Sequence, residues 1–166
     1  MRAYVAAVIL LATCGLAQSA DYSGTRSLFF GFSFANAELS GERSDYYGLG
    51  ANLAVSLGQS KTAVVGDIGI QFRGGSNLWY FLGGVRQWFP ENTANIFVEG
   101  LAGASYLNPK NGNSQTCAAY GGGGGIDWSL GDGFAIRAPQ ADILWGNRDG
   151  KSFHDFRIQA GASFRF

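Results

Sequence analysis

Gln159-Ala160-Gly161-Ala162-Ser163-Phe164-Arg165-Phe166 ends the chain as a strictly alternating segment. From Ile158 onward, one face carries alanine, isoleucine and phenylalanine, and the other carries glutamine, glycine, serine and arginine. Alternation with a period of two predicts a β-strand with one apolar and one polar face. Chain termini usually fray into water, so Phe164 and Phe166 this close to the end indicate an apolar setting for the strand.

The same alternation recurs from Ser27 onward and is broken by turn-rich clusters. It predicts eight strands, each of about ten residues. They are expected at about 28–35, 47–57, 67–73, 78–87, 95–106, 117–128, 134–145 and 153–166. Residues 39–45, which include Gly41, Glu42 and Arg43, are expected to form a polar loop between the first two strands.

These strands predict an all-β fold, an eight-stranded antiparallel up-and-down transmembrane β-barrel. Strands that cross a bilayer at a tilt need roughly 9–11 residues, which fits the expected lengths. An even number of strands places both termini on one side. For an exported bacterial chain that side is the periplasm.

The N-terminus has the pattern of a secretory signal peptide at residues 1–20. Arg2 precedes a short apolar run, and small residues allow cleavage between 17 and 20. The barrel is then expected to cover residues 21–166. Cys14 leaves a lipoprotein signal open as an alternative.

Composition supports a bilayer-embedded barrel. Charged residues make up 14% of the chain, against roughly 25% in ordinary soluble domains. Cys117 is the single cysteine after the expected signal, so no intramolecular disulfide can hold the exported chain. The formal net charge is zero, which gives no indication of a nucleic-acid partner.

Aromatic residues are expected to form two belts, one at each membrane interface. One belt lies beside the expected turns after the fourth and sixth strands and the C-terminus: Trp88, Phe89, Trp128, Phe134, Phe164 and Phe166. The other lies beside the opposite loops: Tyr46, Tyr47, Trp79, Tyr80, Tyr106, Trp145 and Phe153.

The polar face of the strands predicts a charge network in the lumen. Its expected members are Asp67, Arg73, Arg86, Glu99, Asp127, Arg137, Gln140, Asp142, Arg157 and Arg165. In a regular strand, Gln140 and Asp142 would point to the opposite face from Arg137. Pro139 cannot donate a hydrogen bond to the neighbouring strand, so we expect a β-bulge there that turns Arg137, Gln140 and Asp142 inward. Eight strands leave a lumen that side chains can fill, which favours a salt-bridged plug; a narrow ion path is the alternative.

The remaining candidate motifs give no catalytic, cofactor or metal site. The run Gly121–Gly125 continues as strand and lacks the helix that a phosphate-binding loop needs. His154 with Ser152 does not match the histidine-x-serine order of lipid A deacylases, so a surface histidine is expected. One histidine and one cysteine cannot build a zinc site. Cys117 is expected to be an inert thiol.

The C-terminal segment resembles the assembly signal of bacterial outer-membrane barrels, carried here by Gln159, Gly161, Phe164 and Phe166. From Trp79 onward the chain resembles the outer-membrane β-barrel domain family of small porin-like proteins. The segments that carry this resemblance are 82–86, 123–127, 137–142 and 157–166. An arginine-x-x-glutamine-alanine-aspartate seventh strand is similar to that of barrels from soil acidobacteria. The resemblance implies fold and location rather than an activity.

The functional hypothesis is a non-enzymatic outer-membrane barrel with a structural, envelope-integrity or surface-interaction role. Its expected partners are outer-membrane lipid and, during biogenesis, the barrel-assembly machinery and periplasmic chaperones; a monomer is expected. A narrow pore for small solutes or ions is one alternative. A secreted soluble lipocalin-like barrel that binds an apolar ligand is another, and an envelope-lipid enzyme is a third.

Overall fold

The computed structural model of the protein describes residues 26–39, 42–90, 94–131, 133–148 and 151–166. The expected signal peptide at 1–20 lies outside these residues. The described residues form eight strands: β1 (Arg26–Leu39), β2 (Glu42–Ser56), β3 (Thr62–Arg73), β4 (Ser76–Pro90), β5 (Ala94–Asn108), β6 (Gln115–Gly131), β7 (Phe134–Arg148) and β8 (Lys151–Arg165).

The strands close into an antiparallel barrel in which each pairs with its neighbours in sequence, and β8 pairs with β1. Backbone hydrogen bonds of 3.0 Å join Arg26 and Phe166 in both directions, so the seam is bonded to the last residue. We call the end with Arg26 and Phe166 the terminal end, and the end with residues 109–114 the loop end. The eight-stranded antiparallel up-and-down barrel expected from the sequence is confirmed.

The polar loop expected at 39–45 is wrong over most of its length, because β1 extends to Leu39 and β2 begins at Glu42; Gly41 lies outside the described residues. Asn36 pairs with Asp45, and Glu38 pairs with Arg43. Asn36 donates a hydrogen bond to Asp45 and accepts one from Arg43. These polar residues therefore belong to paired strand ends. The strands are also longer than expected, from 12 residues in β3 to 17 in β6.

Side chains alternate between a polar interior and an apolar exterior. Phe32, for example, is 78% exposed, whereas the neighbouring Ser33 is 4% exposed. Large apolar side chains cover the outer wall on every strand, and the buried interior contains arginine, aspartate, glutamate, asparagine and glutamine. The part of the chain that the structure describes contains no helix long and apolar enough to cross a membrane.

The bulge expected at Pro139 is confirmed. The pairing of β7 with β8 shifts between Arg137 and Gln140, so that two residues of β7 face one of β8. Arg137, Gln140 and Asp142 are all fully buried. Trp128 Nε1 donates a 3.0 Å hydrogen bond to the carbonyl of Ala138, which satisfies a backbone group within the bulge.

Glycines allow neighbouring strands to approach closely. A Cβ at Gly161 would collide with the carbonyl oxygen of Phe30 on β1, and one at Gly121 would collide with that of Ile143 on β7. The run Gly121–Gly125 lies inside β6, as expected for strand glycines. Gly66 differs from these glycines, because a Cβ there would have no atom within 4 Å.

The glycine pair Gly161 and Gly66 gives a matched test of this close approach. We expect Gly161→Ala to lower the free energy of unfolding by roughly 1–3 kcal/mol, because the methyl group must displace backbone. Gly66→Ala should leave it unchanged or raise it by up to about 1 kcal/mol. Urea titration of the folded barrel measures both, and equal effects would contradict the packing described here.

Candidate functional site

The interior is built around Arg86, Arg137 and Arg157, all fully buried. Each lies at an inward position of its strand, β4, β7 and β8 respectively. Burying an arginine is costly unless its charge is paired and its N–H groups are hydrogen-bonded. The arrangement of carboxylates and amides around each guanidinium therefore defines the site.

Two of the arginines pair with a carboxylate on the adjacent strand. Arg86 Nε and Nη2 donate to Glu99 Oε2 at 2.9 and 2.7 Å. Arg137 Nε and Nη2 donate to the two oxygens of Asp127 at 2.6 and 2.9 Å. The second pair is bidentate, which is the strongest arrangement for an arginine and a carboxylate.

Two uncharged amides connect these pairs. Asn52 Oδ1 accepts from Arg86 Nη2 at 3.2 Å and from Arg137 Nη1 at 3.0 Å. Gln140 Nε2 donates to Glu99 Oε1 at 2.9 Å and to Asp142 Oδ2 at 3.3 Å. Asn52 lies on β2 and Gln140 on β7, so the amides bring opposite sides of the barrel into one network.

Arg157 bridges two carboxylates from strands that are not adjacent to each other. Its Nη1 lies 2.6 Å from Asp67 Oδ1 on β3, and its Nη2 lies 2.9 Å from Asp142 Oδ2 on β7. The side-chain oxygen of Gln159, oriented toward Arg157, accepts hydrogen bonds of 3.1 Å from Arg157 Nε and Nη2. The bond from β8 to β3 spans the lumen.

Aromatic rings separate and cover the guanidinium groups. The ring of Phe97 lies between two of them, with its centroid 4.2 Å from Arg86 Cζ and 4.5 Å from Arg137 Cζ. Phe29 lies 4.8 Å from Arg137 Cζ, and Tyr80 lies 5.6 Å from Arg157 Cζ. These distances fall within the range of cation–π attraction.

A further buried carboxylate was not among the expected network members. Asp155 is fully buried, and it accepts from the Tyr80 hydroxyl at 2.8 Å and from the Glu38 backbone N–H at 3.0 Å. Its position two residues before Arg157 places it on the same face of β8. Strand parity was therefore the signal that could have found it, and the same parity marks Asn52 as inward-facing.

The structure places two of the expected network residues at the barrel ends. Arg73 is exposed at the loop end, where it donates to Ser44 Oγ at 2.6 Å. Arg165 is half-buried at the terminal end and donates to Ser129 Oγ at 2.8 Å. Both share the inward parity, but they lie beyond the buried segment. The other eight expected residues come together in the interior.

The expected position of Trp88 in an aromatic belt is wrong. Trp88 is fully buried in the barrel, two residues after Arg86 on the same face of β4. Strand parity explains this, because Arg86 and Trp88 must face the same way. Strand parity also directs three other expected belt residues inward, where they are buried: Tyr46, Tyr80 and Phe153.

The other expected belt residues lie on the outer wall. Beside the loop end are Tyr47, Trp79, Tyr106 and Trp145; toward the terminal end are Phe89, Trp128, Phe134, Phe164 and Phe166. Phe134 and Phe164 pack with ring centroids 5.3 Å apart. In the C-terminal segment, Gln159 faces the interior, while Phe164 and Phe166 are 44% and 67% exposed.

The histidine and the cysteine lie apart from the buried network. His154 Nδ1 lies 3.2 Å from Glu38 Oε2, and its side chain is 57% exposed. Cys117 is buried near the loop end and has a free thiol. Within the described residues, no group of three or more histidine, cysteine, aspartate or glutamate side chains is arranged to hold a metal ion.

No family model and no curated protein matches the sequence. Solved structures do match. The structure of Neisserial surface protein A has a TM-score of 0.69 at 9% identity, covering 87% of this chain and 98% of that one. The fold is that of outer-membrane barrels.

Two further structures support the same fold. Ail, the attachment invasion locus protein of Yersinia pestis, gives a TM-score of 0.58 at 16% identity, covering 87% of this chain and 99% of that one. The N-terminal β-barrel domain of Pseudomonas aeruginosa OprF gives 0.60 at 14% identity, covering 90% and 100%. At these identities the likeness concerns the fold alone.

Removing one partner of a buried pair tests the network. We expect Arg137→Met to lower the free energy of unfolding by about 3–5 kcal/mol, because it leaves the Asp127 carboxylate buried without its cation. The double variant Arg137→Met/Asp127→Leu should recover most of that loss. Urea titration measures both variants.

The matched control for this test is Arg73→Met at the exposed rim. It removes the same charge, and we expect a change of at most about 1 kcal/mol. A loss as large as that of Arg137→Met would contradict the distinction between the buried network and the rim.

Proposed function

We propose that the chain is an integral outer-membrane β-barrel protein with a closed, salt-bridged lumen and a non-enzymatic role in the envelope or at the cell surface. The observation that carries this proposal is the reversed distribution of polarity. Charged side chains such as Arg86 and Arg157 are fully buried, while apolar ones such as Phe30 and Phe32 are 52% and 78% exposed. Soluble proteins seldom expose an apolar surface that is continuous around the molecule.

The outer wall has the height and composition of a membrane-spanning band. Trp79 and Phe89 both face outward on β4, ten residues apart. At about 3.3 Å per residue and a tilt near 40°, this separation spans about 25 Å along the barrel axis, the height of an outer-membrane apolar band. Among the described residues, no lysine, arginine, aspartate or glutamate faces outward between the two belts.

The closed lumen is supported by side chains that meet across it. Arg157 on β8 bonds to Asp67 on β3, and Arg137 on β7 bonds to Asn52 on β2. These guanidinium groups are fully buried, and the carboxylates of Asp67, Asp127 and Asp142 are buried with them, so the charged side chains described in the middle of the barrel are shielded from water. An eight-stranded barrel has an interior that side chains can fill, so cross-lumen contacts of this kind close it.

We assign the chain a structural, envelope-integrity or surface-interaction role, with both termini in the periplasm. Outer-membrane lipid is then its permanent partner, and the barrel-assembly machinery and periplasmic chaperones act during biogenesis. The similar folds of a Neisserial surface protein and an attachment protein support a place at the cell surface. We also propose that the barrel is of the small acidobacterial type.

The alternatives fit the structure less well. A lipocalin-like soluble barrel needs an apolar interior for its ligand and a charged exterior, which is the reverse of the arrangement here. An envelope-lipid enzyme would need an activated nucleophile, whereas His154 is exposed and lies beside Glu38. A narrow pore is the alternative that requires a direct measurement.

Membrane insertion is tested by placing a charge on the outer wall. Ile68→Arg lies near the middle of the apolar band, and we expect it to cost about 2–4 kcal/mol of stability in lipid vesicles. Leu57→Arg, in the turn at the terminal end, should cost at most about 1 kcal/mol. Urea unfolding in vesicles compares them, with the heat-modifiable gel mobility of the folded barrel as the control for folding. A soluble monomer without detergent, tolerant of Ile68→Arg, would overturn the proposal.

Closure of the lumen is tested by conductance. We expect no stepwise current when the folded wild-type protein is added to a planar bilayer. Discrete openings would instead support the narrow pore. The buried carboxylates of Asp67, Glu99, Asp127, Asp142 and Asp155 outnumber the three buried arginines, so such a pore would select cations.

A further inference from the structure

Three buried polar atoms in the interior have no hydrogen-bond partner among the described residues, and their side chains meet at Asn52. They are Asn52 Nδ2, Asp67 Oδ2 and Arg86 Nη1. Each of the three residues is at most 5% exposed. Buried polar atoms almost always have a partner, either in the protein or in an ordered small molecule, so these atoms indicate a binding site.

Strand pairing and covalent geometry bring the three atoms to one place. Asn52 and Asp67 are paired across β2 and β3, where directly opposite Cβ atoms lie about 4.5–5.5 Å apart. On its other side Asn52 pairs with Phe29, which offers no polar side-chain atom. Arg86 reaches the same place from β4, because its Nη2 donates to Asn52 Oδ1 at 3.2 Å. Nη1 shares its carbon with Nη2, and Nδ2 shares its carbon with Oδ1.

The exposed pair Asn36 and Asp45 shows how the same two amino acids meet when nothing separates them. They are also paired across adjacent strands, and Asn36 Nδ2 donates directly to Asp45 Oδ1 at 2.8 Å. Asn52 Nδ2 and Asp67 Oδ2 do not meet in this way, because arginines on other strands hold the Oδ1 atom of each side chain. Polar groups that face each other beyond direct hydrogen-bond distance are commonly bridged by water.

The same gap is the open link in a ring of hydrogen bonds that runs around the lumen. Six hydrogen-bonded links join its members in the order Asn52, Arg86, Glu99, Gln140, Asp142, Arg157 and Asp67. The ring therefore begins on β2, crosses the interior to β7 and β8, and returns to β3. A bridge between Asp67 and Asn52 closes it.

The two donors and the acceptor select water as the bridging molecule. A water can accept from Asn52 Nδ2 and Arg86 Nη1 and donate to Asp67 Oδ2, and three hydrogen bonds are typical of a buried water. A metal cation at this place would face two N–H donors. An anion would face the Asp67 carboxylate.

We propose that one bound water molecule bridges Asn52, Asp67 and Arg86 and closes the ring of hydrogen bonds across the lumen. The site goes beyond the function proposed above, because it assigns a ligand to the interior of the barrel. It rests on the contacts of these three side chains and does not depend on the role of the protein in the envelope.

The test is a water-selective nuclear Overhauser experiment on the full barrel folded in detergent, with ¹⁵N-labelled asparagine. We expect a cross peak between water and the side-chain amide of Asn52 that has the sign of the diagonal in the laboratory frame and the opposite sign in the rotating frame. This combination marks a bound water and excludes exchange of the amide protons with solvent. Asn36 is the internal control and should show no such peak, because its amide donates directly to Asp45 at the surface.

A pair of variants locates the water. Asp67→Glu lengthens the carboxylate by one methylene, so that it reaches Asn52 Nδ2 directly and displaces the water; we expect the cross peak to be lost. Asp45→Glu makes the same change at the exposed rim and should leave the Asn52 cross peak as in the wild type. Heat-modifiable gel mobility verifies that each barrel is folded.

A folded wild-type barrel without the cross peak overturns the site, and so does an equal peak in folded Asp67→Glu. If Asp67→Glu does not fold, a crystal structure of the wild type decides. A water within about 2.7–3.2 Å of Asn52 Nδ2, Asp67 Oδ2 and Arg86 Nη1 supports the site, and a direct Asn52–Asp67 hydrogen bond overturns it. Neither result alters the membrane location, which the charge placed at Ile68 tests separately.

Discussion

Neutralisation of charge inside a narrow barrel is the constraint on which the rest of this structure depends. Arg86, Arg137 and Arg157 are enclosed where water cannot replace a missing partner, so each needs carboxylates and amide oxygens within hydrogen-bond distance. Most of those partners come from other strands, including strands on the far side of the lumen. The ion pairs therefore link strands across the barrel as well as setting its interior chemistry.

The same constraint accounts for the irregularity of β7. An uninterrupted strand would direct Gln140 and Asp142 outward into the apolar wall, at a high cost for a carboxylate. Two residues of β7 facing one of β8 restore their inward direction. Trp128 then hydrogen-bonds the carbonyl of Ala138, so the bulge does not leave that group unsatisfied on the apolar side.

Strand parity made much of the fold and part of the site predictable from sequence. It placed Ile68 outward and Arg86 inward, and the break in parity around Pro139 located the bulge. The residue type of Trp88 is typical of a membrane interface, but its position two residues from Arg86 decides its inward direction. The extent of β1 and β2 toward 39–45 does not follow from polarity, which is typical of loops, because Asn36 and Asp45 are polar residues that pair across strands. The partnership of Arg157 with Asp67 could not be predicted, because it depends on how the closed barrel staggers its strands rather than on either local pattern.

The seam between β1 and β8 joins Ser27 to Arg165, so the contacts that close the barrel link the two ends of the described chain. Contacts this distant in sequence form slowly, because the intervening chain must lose its freedom first. Arg157 finds Asp67, 90 residues earlier, only when the last strand docks beside the first. Until then its guanidinium lacks the carboxylate on β3 and needs water in its place. Dehydration of the interior therefore depends on the docking of the last strand.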